Sequence, residues 1–223
     1  MNYGFSQPEN QGEKDLDTFS ENLYRHLFNK TALENRAILE VGCGRGGGCE
    51  LLLDYHPKTV TGLDFSEKGI KFCQNAYKNP SLEFVAGNAE ALPFADQSFD
   101  IIINVESSHC YGNRAAFFKE VYRTLKPNGF FLYADFMGSI HYHKRPVQLS
   151  DTGFKVVSQE DITSNVVLSM DRSAPFKRQF IEKLVPKPFR KIINDFVGLP
   201  GSDIYNKLKN NQSTYFSIIC EKN

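Results

Sequence analysis

Apolar and amphipathic segments alternate along most of this chain of 223 residues. Runs such as AILEVG (37–42) and FDIIINVES (99–107) are apolar enough to be strands buried on both faces. Between them lie segments such as SEKGIKFCQNAYKN (66–79), whose apolar residues have helical spacing. Strands separated by helices imply a parallel, doubly wound sheet. We therefore predict an α/β fold with a seven-stranded, mostly parallel sheet.

The predicted strands are residues 37–42, 59–65, 82–88, 99–107, 130–136, 154–163 and 213–222. The helices predicted between them are residues 47–55, 66–79 and 113–129. Ser66 is a plausible N-cap for the second of these helices, because its hydroxyl can accept from a free backbone N–H. The Pro-Asn-Gly sequence at 127–129 is predicted to end the third helix.

Two segments fall outside this alternation. Residues 15–35 look helical and precede the first strand, and residues 163–210 contain helical pieces interrupted by Pro175, Pro186, Pro188 and Pro200. Ligands of such sheets bind beyond the carboxyl ends of the strands. We therefore expect an N-terminal helical cover and a late lid insertion within a single domain, 1–223. The alternative is a packing appendage without ligand contact.

The insertion also contains aromatic residues that either line an apolar pocket or belong to the core, namely Phe176, Phe180, Phe189, Phe196 and Tyr205.

Composition restricts the partners. The chain has 26 acidic and 26 basic side chains, which argues against a broad nucleic-acid surface. The polar N-terminal sequence lacks a hydrophobic signal core, and no apolar run approaches the ~20 residues of a membrane span. Five cysteines without a C-x-x-C motif indicate reduced thiols and a cytoplasmic protein. We expect a small-molecule partner, no nucleic acid and no membrane span; a monomer and a homodimer are both compatible with the sequence.

The segment EVGCGRGGG (40–48) lies where the first strand becomes a helix. Glycines at such a turn let the backbone approach a ligand closely. Gly42, Gly44 and Gly47 fit the dinucleotide pattern G-x-G-x-x-G. The segment also contains E-x-G-x-G-x-G, which resembles the first motif of S-adenosylmethionine (SAM) methyltransferases. By itself the segment is compatible with both ligands.

The rest of the chain separates these two interpretations. ILEVGCGRG, VTGLDFS, GNAEALPFADQSFD and LKPNGFFLYADF follow one another in this order. In this order they resemble class I SAM-dependent methyltransferases over about residues 36–136. A dinucleotide site accounts for only the first two motifs and needs a catalytic domain that the chain is too short to contain. The resemblance therefore implies SAM as the cofactor.

The resemblance also implies roles for individual residues. Asp64 would accept hydrogen bonds from the ribose hydroxyls, and Glu40 would face the positively charged methionine end. Asn88 and the backbone of Ala89 would meet the adenine edge. Asn88 departs from the more frequent Asp of the family, although an amide oxygen also accepts; a simple turn residue is the alternative. The predicted cofactor-binding set is Glu40, Gly42, Cys43, Gly44, Gly46, Asp64, Phe65, Asn88, Ala89 and Asn104.

The sequence NVESSHCYG, together with YADF, resembles a narrower group. This group contains the phthiotriol/phenolphthiotriol dimycocerosate methyltransferases and related fatty-acid and natural-product O-methyltransferases. The resemblance implies methyl transfer to a hydroxyl of a lipid or polyketide-like acceptor, with His109 as general base and Asp135 orienting it. Glu106 is the reserve base, or else a contact to backbone beside the cofactor.

Other functions stay open. Methylation of a carbon or of a carboxylate is possible, and a carboxylate acceptor needs no base. A SAM-binding module without catalysis is a third hypothesis, against which the presence of His109 and Asp135 weighs. Methylation of RNA or protein is disfavoured, because NVES replaces the N-P-P-Y type motif used for planar nitrogens. His141 and His143 have no third ligand nearby in sequence, so no metal site is predicted.

The chain should bind SAM and its demethylated product but not NAD, and isothermal titration measures this directly. Replacing Asp64 by Ala should weaken SAM binding by about 1–3 kcal/mol, because a charged acceptor for the ribose is lost. Heat released by NAD but not by SAM would contradict the assignment of the cofactor. Unchanged affinity in the Asp64 variant would remove Asp64 from the site.

Overall fold

The computed structural model describes residues 2–9, 12 and 15–223. Its strands are β1 (Ala37–Val41), β2 (Thr59–Asp64), β3 (Leu82–Ala86), β4 (Phe99–Val105), β5 (Leu125–Gly138), β6 (Phe154–Asp161) and β7 (Ser213–Lys222). They form one sheet in the order β3-β2-β1-β4-β5-β7-β6, and most neighbours are parallel. The predicted doubly wound α/β fold with seven strands is confirmed.

Eight α-helices connect and flank the strands in the described part of the chain. They are α1 (Leu16–Phe28), α2 (Gly47–Leu52), α3 (Glu67–Ala76), α4 (Arg114–Thr124), α5 (Lys144–Thr152), α6 (Thr163–Leu184), α7 (Arg190–Phe196) and α8 (Asp203–Lys209). Helix α1 ends seven residues before the predicted limit at residue 35. Helix α5 lies where no element was predicted. The Ser66 side chain accepts from the Gly69 N–H at 3.1 Å, which confirms the predicted N-cap of α3.

The larger of two compact units consists of Leu27–Asp135, His143–Glu160 and Ser217–Asn223. At its centre, β1 pairs in parallel with β2 on one side and β4 on the other. The side chains of Ile38, Leu39 and Val41 are fully buried as a result. After β3 the chain returns to the other side of β1, so the order of the strands reverses between β1 and β4. A doubly wound sheet opens a ligand crevice at the carboxyl ends of such strands.

An aromatic cluster fixes α4 against β5. Phe117, Phe118, Phe131 and Tyr133 are all fully buried. The rings of Phe131 and Tyr133 stack with centroids 5.3 Å apart, and the Phe118 ring lies edge-on to Tyr133 at 5.9 Å. Large buried rings contribute much of the packing energy of a core. This cluster therefore sets the position of the carboxyl end of β5, where Asp135 follows two residues after Tyr133.

The prediction for the end of α4 was wrong. Helix α4 ends at Thr124, so Leu125 belongs to β5 and the Pro127-Asn128-Gly129 sequence lies inside the strand. The pairing of β4 with β5 shifts there, from Phe99 opposite Leu125 to Ile101 opposite Phe130. A proline is tolerated at such an irregularity because no ladder hydrogen bond is needed from its nitrogen.

The smaller unit consists of the residues up to His26, Phe136–Tyr142 and Asp161–Phe216. Here Pro175 lies inside α6 and does not interrupt the helix, contrary to the prediction. A proline removes one helical hydrogen bond, but Met170, Ala174 and Ile181 remain buried along the helix, so side-chain packing maintains it. No helix in the described residues is long and apolar enough to cross a membrane. That residues 15–35 and 163–210 cover the ligand stays a prediction, as does the single-domain assignment.

Candidate active site

The glycine turn after β1 approaches the loop after β4 closely. Gly42 has a φ of 79°, in the left-handed region that favours glycine. A Cβ on Gly42 would overlap the side chain of Ser107 and lie 3.1 Å from the hydroxyl of Tyr111. Gly42 is therefore required where the end of β1 packs against the segment that follows β4.

Gly44 has a different environment. Its φ is 56°, and, apart from its two chain neighbours, no described residue has an atom within 4 Å of the position that a Cβ would take. Its N–H donates to Asp64 Oδ2 at 2.8 Å. The backbone at Gly44 therefore borders open space beside a carboxylate. At Gly46, by contrast, a Cβ would meet the rings of Tyr77 and Phe84, so this glycine is explained by packing.

Asp64 is held in place at the end of β2. Besides the bond from Gly44, its Oδ1 accepts from the Ser66 N–H at 2.9 Å. A carboxylate has about four acceptor sites, so these two bonds fix its orientation and leave capacity for two hydroxyl donors. The next residue, Phe65, exposes 83% of its surface and offers a flat apolar ring for an aromatic base.

Glu40 lies under the glycine turn and is 1% exposed. The thiol of Cys49 donates to Glu40 Oε2 at 2.9 Å. Burial, a hydrogen bond with Cys43 and the negative charge of Glu40 raise the pKa of the Cys49 thiol, so the thiol stays protonated. Because a buried carboxylate is stabilised by nearby positive charge, this position suits the predicted contact with a cationic ligand group. Cys43 is itself buried, and its N–H donates to Leu63 O at 3.0 Å.

The turn after β3 contains Asn88 and Ala89. The Asn88 side chain is exposed, and its Oδ1 accepts from the Glu90 N–H at 2.9 Å. Ala89 is buried. The turn role considered for Asn88 is thus present in the structure. Its second lone pair still permits the predicted contact with adenine, which stays a prediction.

Asn104 carries a buried acceptor without a partner. Its Nδ2 donates to Val41 O at 2.8 Å and to the Tyr111 hydroxyl at 3.1 Å. Its Oδ1 is buried and has no hydrogen-bond partner in the part of the chain that the structure describes. An unsatisfied buried acceptor costs about 1–3 kcal/mol, so a ligand donor at this point would be stabilising. With the open space at Gly44 and the buried Glu40, these residues fit a ligand that carries an ammonium group and a ribose.

His109 and Asp135 meet at the ends of β4 and β5. His109 Nδ1 lies 2.8 Å from Asp135 Oδ1, and the backbone N–H of His109 donates to Asp135 Oδ2 at 3.0 Å. The carboxylate of Asp135 is 1% exposed, whereas the imidazole is 29% exposed. An ionised carboxylate only accepts, so Nδ1 carries the proton and Nε2 is the basic nitrogen of the neutral ring. The two residues have the geometry of an oriented base.

Two further hydroxyls support Asp135. Ser108 Oγ donates to Asp135 Oδ2 at 2.7 Å and lies 2.6 Å from the Tyr133 hydroxyl. Burial and the charge of Asp135 raise the pKa of Tyr133, so its phenol stays neutral and donates to Ser108. The carboxylate therefore accepts hydrogen bonds from the Ser108 hydroxyl and from both the backbone and the ring of His109, and these donors make a buried charge tolerable.

The environment of His109 changes its pKa in opposing directions. Burial lowers the pKa, but the hydrogen bond to Asp135, the charge of Asp135 and the charge of Glu106 raise it, and the net shift is upward from 6.5. Glu106, predicted as the reserve base, is half-buried with a φ of 45°. Its electrostatic effect on His109 is present whether or not it contacts a ligand.

The sequence did not lead us to Ser108, Tyr111 or Tyr133. Tyr133 precedes Asp135 by two residues in a strand, so both side chains face the same side of the sheet. That period of two was an available signal. Tyr111 bonds to Ser107 at 2.7 Å, and nothing in its sequence position indicates this. His141 and His143 are exposed, and no group of three or more metal-binding side chains occurs among the described residues.

Comparison with known proteins identifies the family. Residues 39–133 match the family described as "Methyltransferase domain". The phthiotriol/phenolphthiotriol dimycocerosates methyltransferase of Mycobacterium tuberculosis is 35% identical over 195 residues, which are 87% of this chain and 72% of the relative. The chain belongs to the class I SAM-dependent methyltransferases. The fatty-acid O-methyltransferase of Mycolicibacterium smegmatis is 34% identical to this methyltransferase over 221 residues, 96% of this chain and 80% of the relative.

Solved structures agree on the fold of the methyltransferase. A putative sarcosine dimethylglycine methyltransferase from Galdieria sulphuraria superposes with a TM-score of 0.84 at 13% identity, covering 99% of this chain and 92% of that chain. At that identity the likeness establishes the fold alone. The cofactor of this methyltransferase is SAM, as predicted, and the dinucleotide interpretation of the glycine turn is excluded.

Alanine at Gly42 and at Gly44 should affect the methyltransferase differently. Gly42→Ala should cost about 1–3 kcal/mol of stability through overpacking against Ser107, in addition to backbone strain. Gly44→Ala should cost only the left-handed strain of about 1–2 kcal/mol, yet weaken SAM binding because its methyl group enters the open space. Thermal unfolding and SAM titration measure both effects.

Gly201→Ala is the matched control, since Gly201 also has a positive φ and, apart from its chain neighbours, no described residue within 4 Å of an added Cβ. It lies outside the predicted cofactor set and should lose stability while keeping SAM affinity. Equal SAM affinity in the Gly44 and Gly201 variants would place the cofactor away from Gly44.

Proposed function

We propose that this methyltransferase transfers the methyl group of SAM to a hydroxyl of a lipid or polyketide-like acceptor, with His109 as general base. The observation that carries the proposal is the 2.8 Å contact between His109 Nδ1 and the buried Asp135. It leaves Nε2 as the basic nitrogen on a ring that solvent reaches. An acceptor hydroxyl at that nitrogen can lose its proton as it attacks.

Bound SAM supplies an activated methyl group on a sulfonium. The acceptor oxygen must become a better nucleophile, because an alcohol has a pKa near that of water, about 16. His109 Nε2 takes the hydroxyl proton, and Asp135 stabilises the imidazolium that forms. Ser108 acts as a positioning residue through its hydrogen bond to Asp135, and Tyr133 acts through its hydrogen bond to Ser108.

The names of the relatives support the class of acceptor. One is named for phthiotriol and phenolphthiotriol dimycocerosates, and another for fatty acids. Both names describe large apolar molecules that carry an oxygen nucleophile. We therefore propose an apolar alcohol as the acceptor.

A carboxylate acceptor is the second candidate, favoured by the fatty-acid relative. A carboxylic acid with a pKa of about 4 is already ionised near neutral pH. It needs no base, so His109 would then orient the acceptor and not remove a proton. Carbon methylation and a non-catalytic SAM-binding module are less well supported, because neither explains a histidine held by a buried carboxylate.

Replacing His109 by Ala should lower turnover of an alcohol acceptor by about 10²–10⁴, the usual contribution of general base catalysis. SAM affinity should stay nearly unchanged, because the predicted cofactor contacts lie elsewhere. Labelled SAM with a panel of lipid and polyketide alcohols and the corresponding acids measures the transfer. His143→Ala, which removes an exposed histidine, is the matched control and should keep full activity. Full turnover of alcohols by the His109 variant would exclude His109 as base. If the variant loses turnover of alcohols but keeps turnover of the acids, His109 acts as a base for alcohols alone.

The pH dependence should report the same pair. His109 must be neutral to accept a proton, so kcat/KM should fall as the pH drops through its raised pKa, above 6.5. In Asp135→Asn two causes of that raised pKa disappear, and burial still lowers it. The midpoint should therefore move to lower pH while the rate falls at every pH. A midpoint that does not move would mean that another group titrates.

The double variant His109→Ala with Asp135→Asn should lower turnover by a factor much smaller than the product of the two single effects, because the pair acts as one unit.

A further inference from the structure

Five large apolar side chains lie exposed at the end of α6 and on the segment that follows. They are Phe180, Leu184, Phe189, Ile192 and Phe196, each between 54% and 73% exposed. We refer to these five residues as the hairpin face. All of them belong to the smaller compact unit. Single exposed apolar residues are ordinary, but a cluster of this size marks an interaction surface.

Helix α7 runs back along α6. At the start of α7, Arg190 donates to Val185 O at 3.0 Å and to Glu182 O at 2.9 Å, near the end of α6. Just after the end of α7, Val197 O accepts from Lys177 Nζ at 3.0 Å. Lys177 lies in α6, more than one helical turn before Glu182. The start of one helix is thus next to the end of the other, so the two helices form an antiparallel hairpin.

The hairpin has a buried side and an exposed side. Ile181 and Val185 of the first helix pack in one cluster with Ile193 and Val197 of the second. Phe180, Leu184, Ile192 and Phe196 each precede one of these residues by one position. One position is a rotation of about 100° around a helix. In an antiparallel pair this rotation turns both exposed stripes to the same side, so they form one continuous surface.

The hairpin face is surrounded by positive charge. Residues 178–196 contain five basic and two acidic side chains, a net charge of +3 in a chain whose total is zero. Lys183, Lys187 and Lys191 are exposed among the apolar residues. A side that combines phenylalanine and leucine with lysine is the composition of helices that lie in the boundary of a lipid bilayer.

We propose that the hairpin face docks the protein on the surface of an anionic phospholipid bilayer. The apolar side chains enter the boundary between headgroups and acyl chains, and the lysines contact lipid phosphates. A second copy of this chain fits less well. A two-fold interface sets the same patch against itself, which would bring the net charges of +3 together.

Membrane docking would bring the protein to the bilayer in which a lipid acceptor is dissolved. This role of docking rests on the proposed function, whereas docking itself does not. No residue of the hairpin face is in the predicted cofactor or catalytic set. Vesicle binding without SAM or acceptor therefore tests docking alone, and turnover of a dissolved short-chain alcohol tests the chemistry alone. Failure of one leaves the other intact.

Because the chain contains no tryptophan, one introduced indole reports its own surroundings. Phe196→Trp should shift its emission to shorter wavelength with vesicles of phosphatidylcholine and phosphatidylglycerol, and much less with phosphatidylcholine alone. High salt should weaken the shift, since exposed charges are screened. Phe72→Trp, at a partly exposed site in the larger unit, is the control and should not respond. Equal shifts with neutral and anionic vesicles, or no shift with either, would overturn the proposal.

Co-sedimentation of the full chain with the same vesicles provides a second measurement. Lys183→Glu with Lys187→Glu should lower binding to anionic vesicles by at least about tenfold. Ile192→Ser with Phe196→Ser should lower it comparably, and both pairs are exposed, so the fold should be kept. Lys68→Glu with Lys119→Glu, which reverses exposed lysines on α3 and α4, is the charge-matched control and should bind normally. Binding that survives both double variants, or a dimer in light scattering that the serine variant converts to a monomer, would contradict membrane docking.

Discussion

The end of β1 and the segment after β4 approach each other so closely that a Cβ at Gly42 would overlap the side chain of Ser107. Asn104 holds these two segments together, because its Nδ2 donates both to Val41 O at the end of β1 and to the hydroxyl of Tyr111 after β4. One side of this contact carries the glycine turn and Asp64, and the other leads within five residues of Asn104 to His109. The predicted cofactor residues and the predicted base are therefore set relative to each other by packing and hydrogen bonds within the protein. Such preorganisation is what a transfer reaction requires, since the two reacting groups must be held in line.

Asp135 has a similar importance on the acceptor side. A carboxylate that is 1% exposed is costly unless donors surround it. Here the donors are the backbone and ring of His109 and the hydroxyl of Ser108, which Tyr133 supports in turn. The aromatic cluster of α4 and β5 holds Tyr133, so core packing extends without interruption to the imidazole. The stability of this part of the core and the orientation of the His109 imidazole thus depend on the same contacts.

The sequence was sufficient for features that depend on local pattern, and insufficient where long-range packing decides. Alternating segments predicted all seven strands, and the position of Ser66 at the start of a helical segment predicted a helix cap. Proline rules failed at Pro175, because burial along α6 outweighs one lost hydrogen bond, and at Pro127, because an irregular strand pairing accommodates it. The sequence did not decide whether the aromatic residues of the insertion belong to the core or line a pocket. In the structure their environments differ. Tyr205 is buried and Phe176 packs on Phe19, whereas three others are exposed, namely Phe180, Phe189 and Phe196. The hydroxyl network around Asp135 joins residues 25 or more positions apart, for which a single sequence offers little signal.

The opposing effects on His109 bear on why the pair is built from a buried acid and a half-exposed ring. Asp135 alone would make the imidazole a stronger base, but at a fixed pH a smaller fraction of the ring would then be neutral and able to accept. Burial acts in the other direction and favours the neutral form. A base works best when its pKa is close to the working pH, since strength and availability are then both adequate. A carboxylate that is more exposed would hold the tautomer less firmly, and a ring that is more buried would be closed to an acceptor. The observed arrangement, a fully buried Asp135 beside an imidazole that solvent reaches, satisfies both requirements at once.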